Sequence, residues 1–189
     1  MNYQSKNLKI FINCVVFAVI TAVLAQVEVP LPLVPISGQT LAVGLTATIL
    51  GSSQGALAMI CYATLGAIGL PVFAGFNAGA EVLTGPTGGY IIGFIVAAFL
   101  MGYILERTSF RLTMAMVANT VGMVVILLFG MIQLKYVTGL GWGEALDAGV
   151  YPFIVVGLIK AFLASWIGIA VRKRLVQSRL INPSEKAAA

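Results

Sequence analysis

The stretch Pro152 to Val171, PFIVVGLIKAFLASWIGIAV, reads as a membrane-spanning helix with one cation inside it. A helix rising about 1.5 Å per residue over this length matches a hydrocarbon core about 30 Å thick. Lys160 follows Pro152 by eight residues, roughly 12 Å along that helix and close to mid-membrane. A central lysine costs about 2.5 to 3.5 kcal/mol to insert, so it is expected to face a protein interior or a wet cavity. Snorkelling is the competing reading, and about 12 Å is more than the lysine stem comfortably covers.

The rest of the chain agrees with a bilayer as solvent. With 60% hydrophobic and 9% charged residues over 189, and a mean hydropathy of +1.03, a water-soluble globule would lack polar surface to cover itself. The sequence has no histidine, which removes the common His-type metal sites and Ser-His or Cys-His catalysis, and no metal site is predicted. Cys14 and Cys61 fall in apolar runs and read as small hydrophobes without a redox role.

Apolar stretches run over Ile10 to Ala25, Ser37 to Leu50, Gly55 to Gly69, Gly88 to Leu105, Leu112 to Leu134 and Pro152 to Val171. The expected fold is all-α, a polytopic membrane protein of six transmembrane helices in one compact bundle. Residues 1–189 form a single integral membrane domain and 177–189 an exposed C-terminal tail. The first stretch is read as a retained helix, since Leu24 to Glu28 makes a weak cleavage site. The second and third are short for a span and adjoin Pro- and Gly-rich sequence. Irregular backbone at membrane depth is tolerated only where protein or a cavity surrounds it. Residues 27–36 and 70–87 are therefore expected to fold into the outer end of the bundle as loops covering a substrate cavity.

The basic residues orient the bundle. With a cytoplasmic N-terminus, Lys6, Lys9, Arg107, Arg111, Arg172, Lys173, Arg174, Arg179 and Lys186 lie inside, and only Lys135 and Lys160 outside. Both termini are then cytoplasmic. Glu28, Glu81, Glu144 and Asp147 fall outside. The net charge of +5 is a topology signal, and nucleic-acid binding is a poor explanation for it.

Small residues at helical spacing, Ala18 with Ala22, Gly89 with Gly93 and Ala164 with Gly168, make flat stripes where another backbone can approach. Internal packing is the ordinary use of such stripes. The first, flanked by large apolar residues, is the one that could serve a partner subunit.

On the outer side Ser37 is a reasonable N-cap for the second helix, with Gln39 beside it. Asn77, Glu81 and Tyr90 come from the long third loop and the helix after it, Lys160 from the last helix, and Phe73 supplies an apolar wall. A mostly apolar cavity with few polar anchors suits a small amphiphilic molecule. Tyr136 and Trp142 read as an interfacial aromatic belt, and Glu81 could be a plain loop charge.

These residues carry a resemblance. VPISGQTL from Val34, GLPVFAG from Gly69, LTGPTGGYIIGF from Leu83, and Pro152-Phe153 ahead of Lys160 resemble the BioY family over essentially the whole chain. BioY proteins are the biotin-specific substrate-binding subunits (S components) of energy-coupling factor (ECF) transporters. The resemblance implies the S component fold, high-affinity biotin uptake, and partnership in the cell membrane with a transmembrane coupling subunit and two ATPase subunits. It implies no cofactor, biotin being the transported ligand. It matches Ala18 and Ala22 to the contact surface for the coupling subunit. One departure is that the family usually has an Asp three residues before the lysine, where this chain has Gly157.

Biotin chemistry fits the residues. A valerate carboxylate calls for Lys160, a thiophane ring for hydrophobic walls, and a ureido group for amides such as Asn77 and Gln39, which offer donor and acceptor together. If Lys160 meets the ureido end, the roles exchange. The chain has no Walker-type phosphate loop, so ATP hydrolysis falls to separate subunits and the chain is not read as an enzyme. The alternative is a self-sufficient secondary transporter of a small anionic vitamin, with Glu81 or Lys160 carrying a proton; no carboxylate pair within the spans and no duplicated halves support it. An intramembrane Ser-Lys enzyme ranks third.

Overall fold

In the computed structural model, residues 3–178, 180 and 181 are described, with side chains from residue 7 onward. Arg179, Lys186 and most of the expected tail lie outside the described residues. Among those described, the chain forms eight α-helices: α1 (Tyr3–Ala25), α2 (Gln39–Leu50), α3 (Ser52–Ala67), α4 (Ala80–Thr84), α5 (Gly88–Arg107), α6 (Leu112–Thr138), α7 (Trp142–Gly149) and α8 (Tyr151–Gln177). The six expected stretches correspond to α1, α2, α3, α5, α6 and α8. Four segments are long and apolar enough to cross a membrane: Asn7–Ala25, Gly88–Arg107, Leu112–Thr138 and Trp142–Gln177. At 12 and 16 residues, α2 and α3 fall short of that length. The loop over 70–87 contains a short helix, α4, and the connection from α6 to α8 contains another, α7; neither was expected from the sequence.

The first loop is a small hairpin in which β1 (Glu28–Val29) pairs antiparallel with β2 (Ile36–Ser37). This pairing corrects the expected cap of α2. Ser37 is held as strand, Gly38 takes the N-cap position with no side-chain cap, and the Ser37 hydroxyl donates to Gln39 Oε1 at 2.6 Å. At the other end, α2 passes to α3 through Gly51 alone, at φ 86°, a conformation that favours glycine.

Small residues set the close helix contacts. A Cβ at Gly89 would overlap the Phe129 carbonyl oxygen, and one at Gly93 would lie 3.1 Å from Phe129 Cβ, so that stripe seats α5 on α6. A Cβ at Gly168 would come within 2.8 Å of Thr48, so α8 offers its small face to α2. Gly89→Ala is expected to cost about 1–3 kcal/mol, because a backbone carbonyl cannot swing aside as a side chain can. A thermal-unfolding midpoint in detergent equal to wild type would show that this contact has room to spare.

Two cations pin α8 to α2. Lys160 Nζ donates to Ser37 O at 2.7 Å, and Arg172 Nη1 donates to Ile49 O. Both pairs are separated by the same 123 residues, so the two helices run in the same direction in register. Arg172, which the sequence reading put on the inner side without saying how it is packed, is buried, its guanidinium carbon 3.5 Å from the centre of the Phe110 ring. The Phe110 ring and the α2 C-terminal carbonyls, which have no intrahelical donors, draw it inward. Beside it, Glu106 accepts from Ser52 N at 2.8 Å and Ser52 Oγ at 2.6 Å, which caps the start of α3.

Candidate ligand-binding site

A cavity of about 260 Å³ opens between α2, α5, α6 and α8 beneath residues 33–35 and 73–77. It lies just below the usual range of about 300–1,000 Å³ for small-molecule sites. Lys160, Gln39, Asn77, Tyr90 and Phe73, five of the six ligand-contact residues expected from the sequence, line it.

The polar groups form a chain along one wall. Lys160 donates to Ser37 O, the Ser37 hydroxyl to Gln39 Oε1, Gln39 Nε2 to the Tyr62 hydroxyl at 2.6 Å, and Tyr62 to Val72 O at 3.0 Å. Both ends of the Gln39 amide are thus engaged inside the protein. Lysine has three N–H donors, so the ammonium keeps donors to spare beyond its bond to Ser37. Tyr62 was not singled out from the sequence. Its only signal was a phenol on a short apolar helix, and its partners sit 23 and 10 residues away.

The roof is stitched by Gln26, another residue the sequence reading passed over. Its Nε2 donates to Phe73 O at 3.1 Å and its Oε1 accepts from Phe76 N at 2.9 Å, which ties the first loop to the third. Phe73 is 1% exposed and meets Tyr62 edge-on, with ring centroids 5.5 Å apart. A Cβ at Gly66 would overlap the Phe73 ring, so glycine there makes room for the plug. Asn77 sits at the exposed rim, its Nδ2 spent on Ala74 O at 2.7 Å. Tyr90 presents its ring to the cavity while its hydroxyl donates to Gly149 O at 2.7 Å.

Glu81 stands apart. It is exposed, does not line the cavity, and its carboxylate lies back over Gly79 at the start of α4, where free backbone N–H groups favour a negative charge. Ala18 is also placed differently from expectation. It is fully buried and Ala22 half-buried, on the face where Cys14 Sγ meets Gln54 O of α3 at 3.6 Å. That stripe packs within the chain, and the exposed ridge of α1 is Ile12, Val16, Val19 and Val23. Gly157 lines the cavity without a carboxylate, and a Cβ there would overlap Met123 Sδ. A thioether from α6 thus fills the space beside the lysine.

Comparison with known proteins agrees with this geometry. The model of the BioY family matches residues 1–177. The chain is 40% identical over 158 residues to the biotin transporter BioY2 of Lactococcus lactis, covering 84% of this chain and 87% of that protein. It is 39% identical over 164 residues to the biotin transporter BioY of Thermotoga maritima, covering 86% and 95%. In three dimensions it resembles the S-component for biotin from an ECF-type ABC transporter, with a TM-score of 0.82 at 26% identity, covering 92% of this chain and 95% of that one. With the family pattern running through α1 to α8 and the cavity built from its motifs, this multi-pass membrane protein belongs to the BioY family.

Proposed function

We propose that this chain is the membrane-embedded biotin-binding subunit of an ATP-driven energy-coupling factor transporter, and that Lys160 reads the biotin carboxylate. The observation that carries the reading is a half-buried ammonium with unused N–H donors on the wall of an otherwise apolar cavity of small-molecule size. Phe73, Phe94 and Phe153 offer walls for a thiophane ring, while Asn77 retains a carbonyl oxygen for a ureido N–H. Gln39 acts by holding Ser37 and Tyr62 in place rather than by meeting ligand directly. The names and structure of the relatives support the same class of ligand. ATP hydrolysis is assigned to two separate subunits and coupling to a third, membrane-embedded one. The exposed ridge of α1 is the surface that helix can offer to such a partner.

The proposed membrane arrangement has six spans, α1, α2, α3, α5, α6 and α8, with the cavity mouth outward and both termini cytoplasmic. The basic residues clustered near Arg107, Arg111 and Arg172 to Arg174 support it. A cysteine placed at Ser178 is expected to resist an impermeant thiol reagent added outside intact cells and to react once the membrane is opened. Labelling from outside would reverse the orientation.

Calorimetry of the purified chain with biotin tests the ligand, and uptake into sealed vesicles carrying this chain alone tests the division of labour. Binding without sustained uptake is expected. Concentrative uptake driven by a proton gradient would instead favour a self-sufficient carrier.

A further inference from the structure

Below Lys160 the cavity descends between Met101, Met123, Ile126 and Leu127 to a single polar side chain, Asn119 of α6, which is 4% exposed. Its two Nδ2 hydrogens are shared among three acceptors, Ala115 O at 2.9 Å, Thr48 Oγ1 at 3.1 Å and Ser165 Oγ at 3.1 Å. The chemistry of these partners sets which way the amide points. Ala115 O can only accept, and the Ser165 hydroxyl proton is already given to Ala161 O at 2.6 Å. An amide oxygen in the place of Nδ2 would face two acceptors with no proton between them. Oδ1 therefore points the other way, against Gly44, where a Cβ would overlap it, and among the described residues no donor reaches it. Oδ1 thus opens on the cavity as an acceptor that no group of the chain uses, at the foot of largely apolar walls where a ligand N–H can meet it.

We propose that Asn119 Oδ1 is the acceptor for a ureido N–H of the bound ligand, so that the ureido ring lies at the cavity floor with the carboxylate above it at Lys160. The inference rests on reading the cavity as a biotin site. Ser165, which holds Asn119, follows Lys160 by five residues on α8, so the acceptor lies about 7.5 Å deeper than the lysine along that helix. The two polar poles then match a molecule with N–H donors at one end, a carboxylate at the other and an apolar middle. The competing acceptor, Asn77 Oδ1, sits at the exposed rim, where water can satisfy it and a ligand gains less. Thr48 and Ser165 are positioning residues in this scheme, since they orient the amide without touching ligand.

The test is calorimetry of the purified full chain, wild type and Asn119→Ala, with biotin and with biotin methylated on either ureido nitrogen. The variant removes the acceptor and opens room for a methyl group. Biotin is expected to lose about ten- to a hundredfold in affinity, as for a buried hydrogen-bonding group left unpaired. One of the two methylated isomers is expected to bind the variant more tightly than wild type. Ser165→Ala, which leaves Oδ1 in place, should keep the wild-type order of ligands. If Asn119→Ala fails to fold, Gly44→Ala, which displaces Oδ1 without removing any polar group, is expected to weaken biotin more than the methylated isomer. Equal changes for all ligands, or no binding of either isomer to either protein, would overturn the assignment to Asn119. A wild-type chain that does not bind biotin at all would instead overturn the biotin reading, before any variant is compared.

Discussion

Lys160→Ala is expected to weaken biotin about thirtyfold or more, while the amide of biotin, which keeps the rings and loses the negative charge, should bind wild type weakly and the variant little worse. The reasoning is electrostatic. Truncating one member of a buried charged pair costs about 2 to 5 kcal/mol, much of it from the charge left without a partner. Within the chain the ammonium has Ser37 O, a neutral acceptor, and the position one helical turn earlier is Gly157, with Met123 beside it. The incoming carboxylate is then the main compensating negative charge, which makes its loss more damaging here than at a site with a resident aspartate. Calorimetry on the two proteins with the two ligands forms a double cycle. Equal losses for acid and amide would show that the lysine does not read the carboxylate.

The second large effect is expected far from the cavity. Arg172→Ala should destabilise the protein by about 3–5 kcal/mol, combining a lost charge-assisted hydrogen bond of about 1.5–3 kcal/mol with a desolvated cation–π contact of about 2 kcal/mol. Arg172→Lys should recover less than half, because an ammonium lacks the flat face that lies over Phe110 and the fork that reaches Ile49 O. Arg174, two residues on and exposed, serves as the control, and its alanine variant should stay within about 0.5 kcal/mol of wild type. Thermal unfolding in detergent reads all three, and similar midpoints for Arg172→Ala and Arg174→Ala would remove the inward role of Arg172.

The contrast between these two arginines shows what sequence can and cannot carry. The positive-inside pattern treats Arg172, Lys173 and Arg174 as equivalent, because it counts charges near span ends and has no knowledge of which face of α8 meets α2. The long apolar helices were readable because lipid demands uninterrupted runs of apolar residues; the starts and ends of α5 and α6 agree with those runs to within a few residues. By contrast α4, at five residues, is too short for any period to show, and α7 owes its start to one local bond, Gly141 N to Glu144 Oε2 at 2.9 Å. Lys160 announced itself as a charge in a hydrophobic run. Asn119, an amide in another such run, was not singled out from the sequence, and its meaning came only with Thr48 and Ser165, 71 and 46 residues distant. Tyr62 and Gln26 gave less still, since their function lies in partners that only the folded loops supply. For the same reason Ala18 misled: a small residue marks close approach, and spacing cannot say whether the neighbour belongs to the same chain.

The matched pins between α2 and α8 restrict how this molecule can change shape. A slip of one helix past the other by a single turn, about 5.4 Å, would break the bonds at Ser37 and Ile49 together, so sliding is the dearest motion open to the pair. A guest carboxylate met by the spare donors of the ammonium leaves the bond at Ser37 in place, so a ligand can be held without releasing either pin.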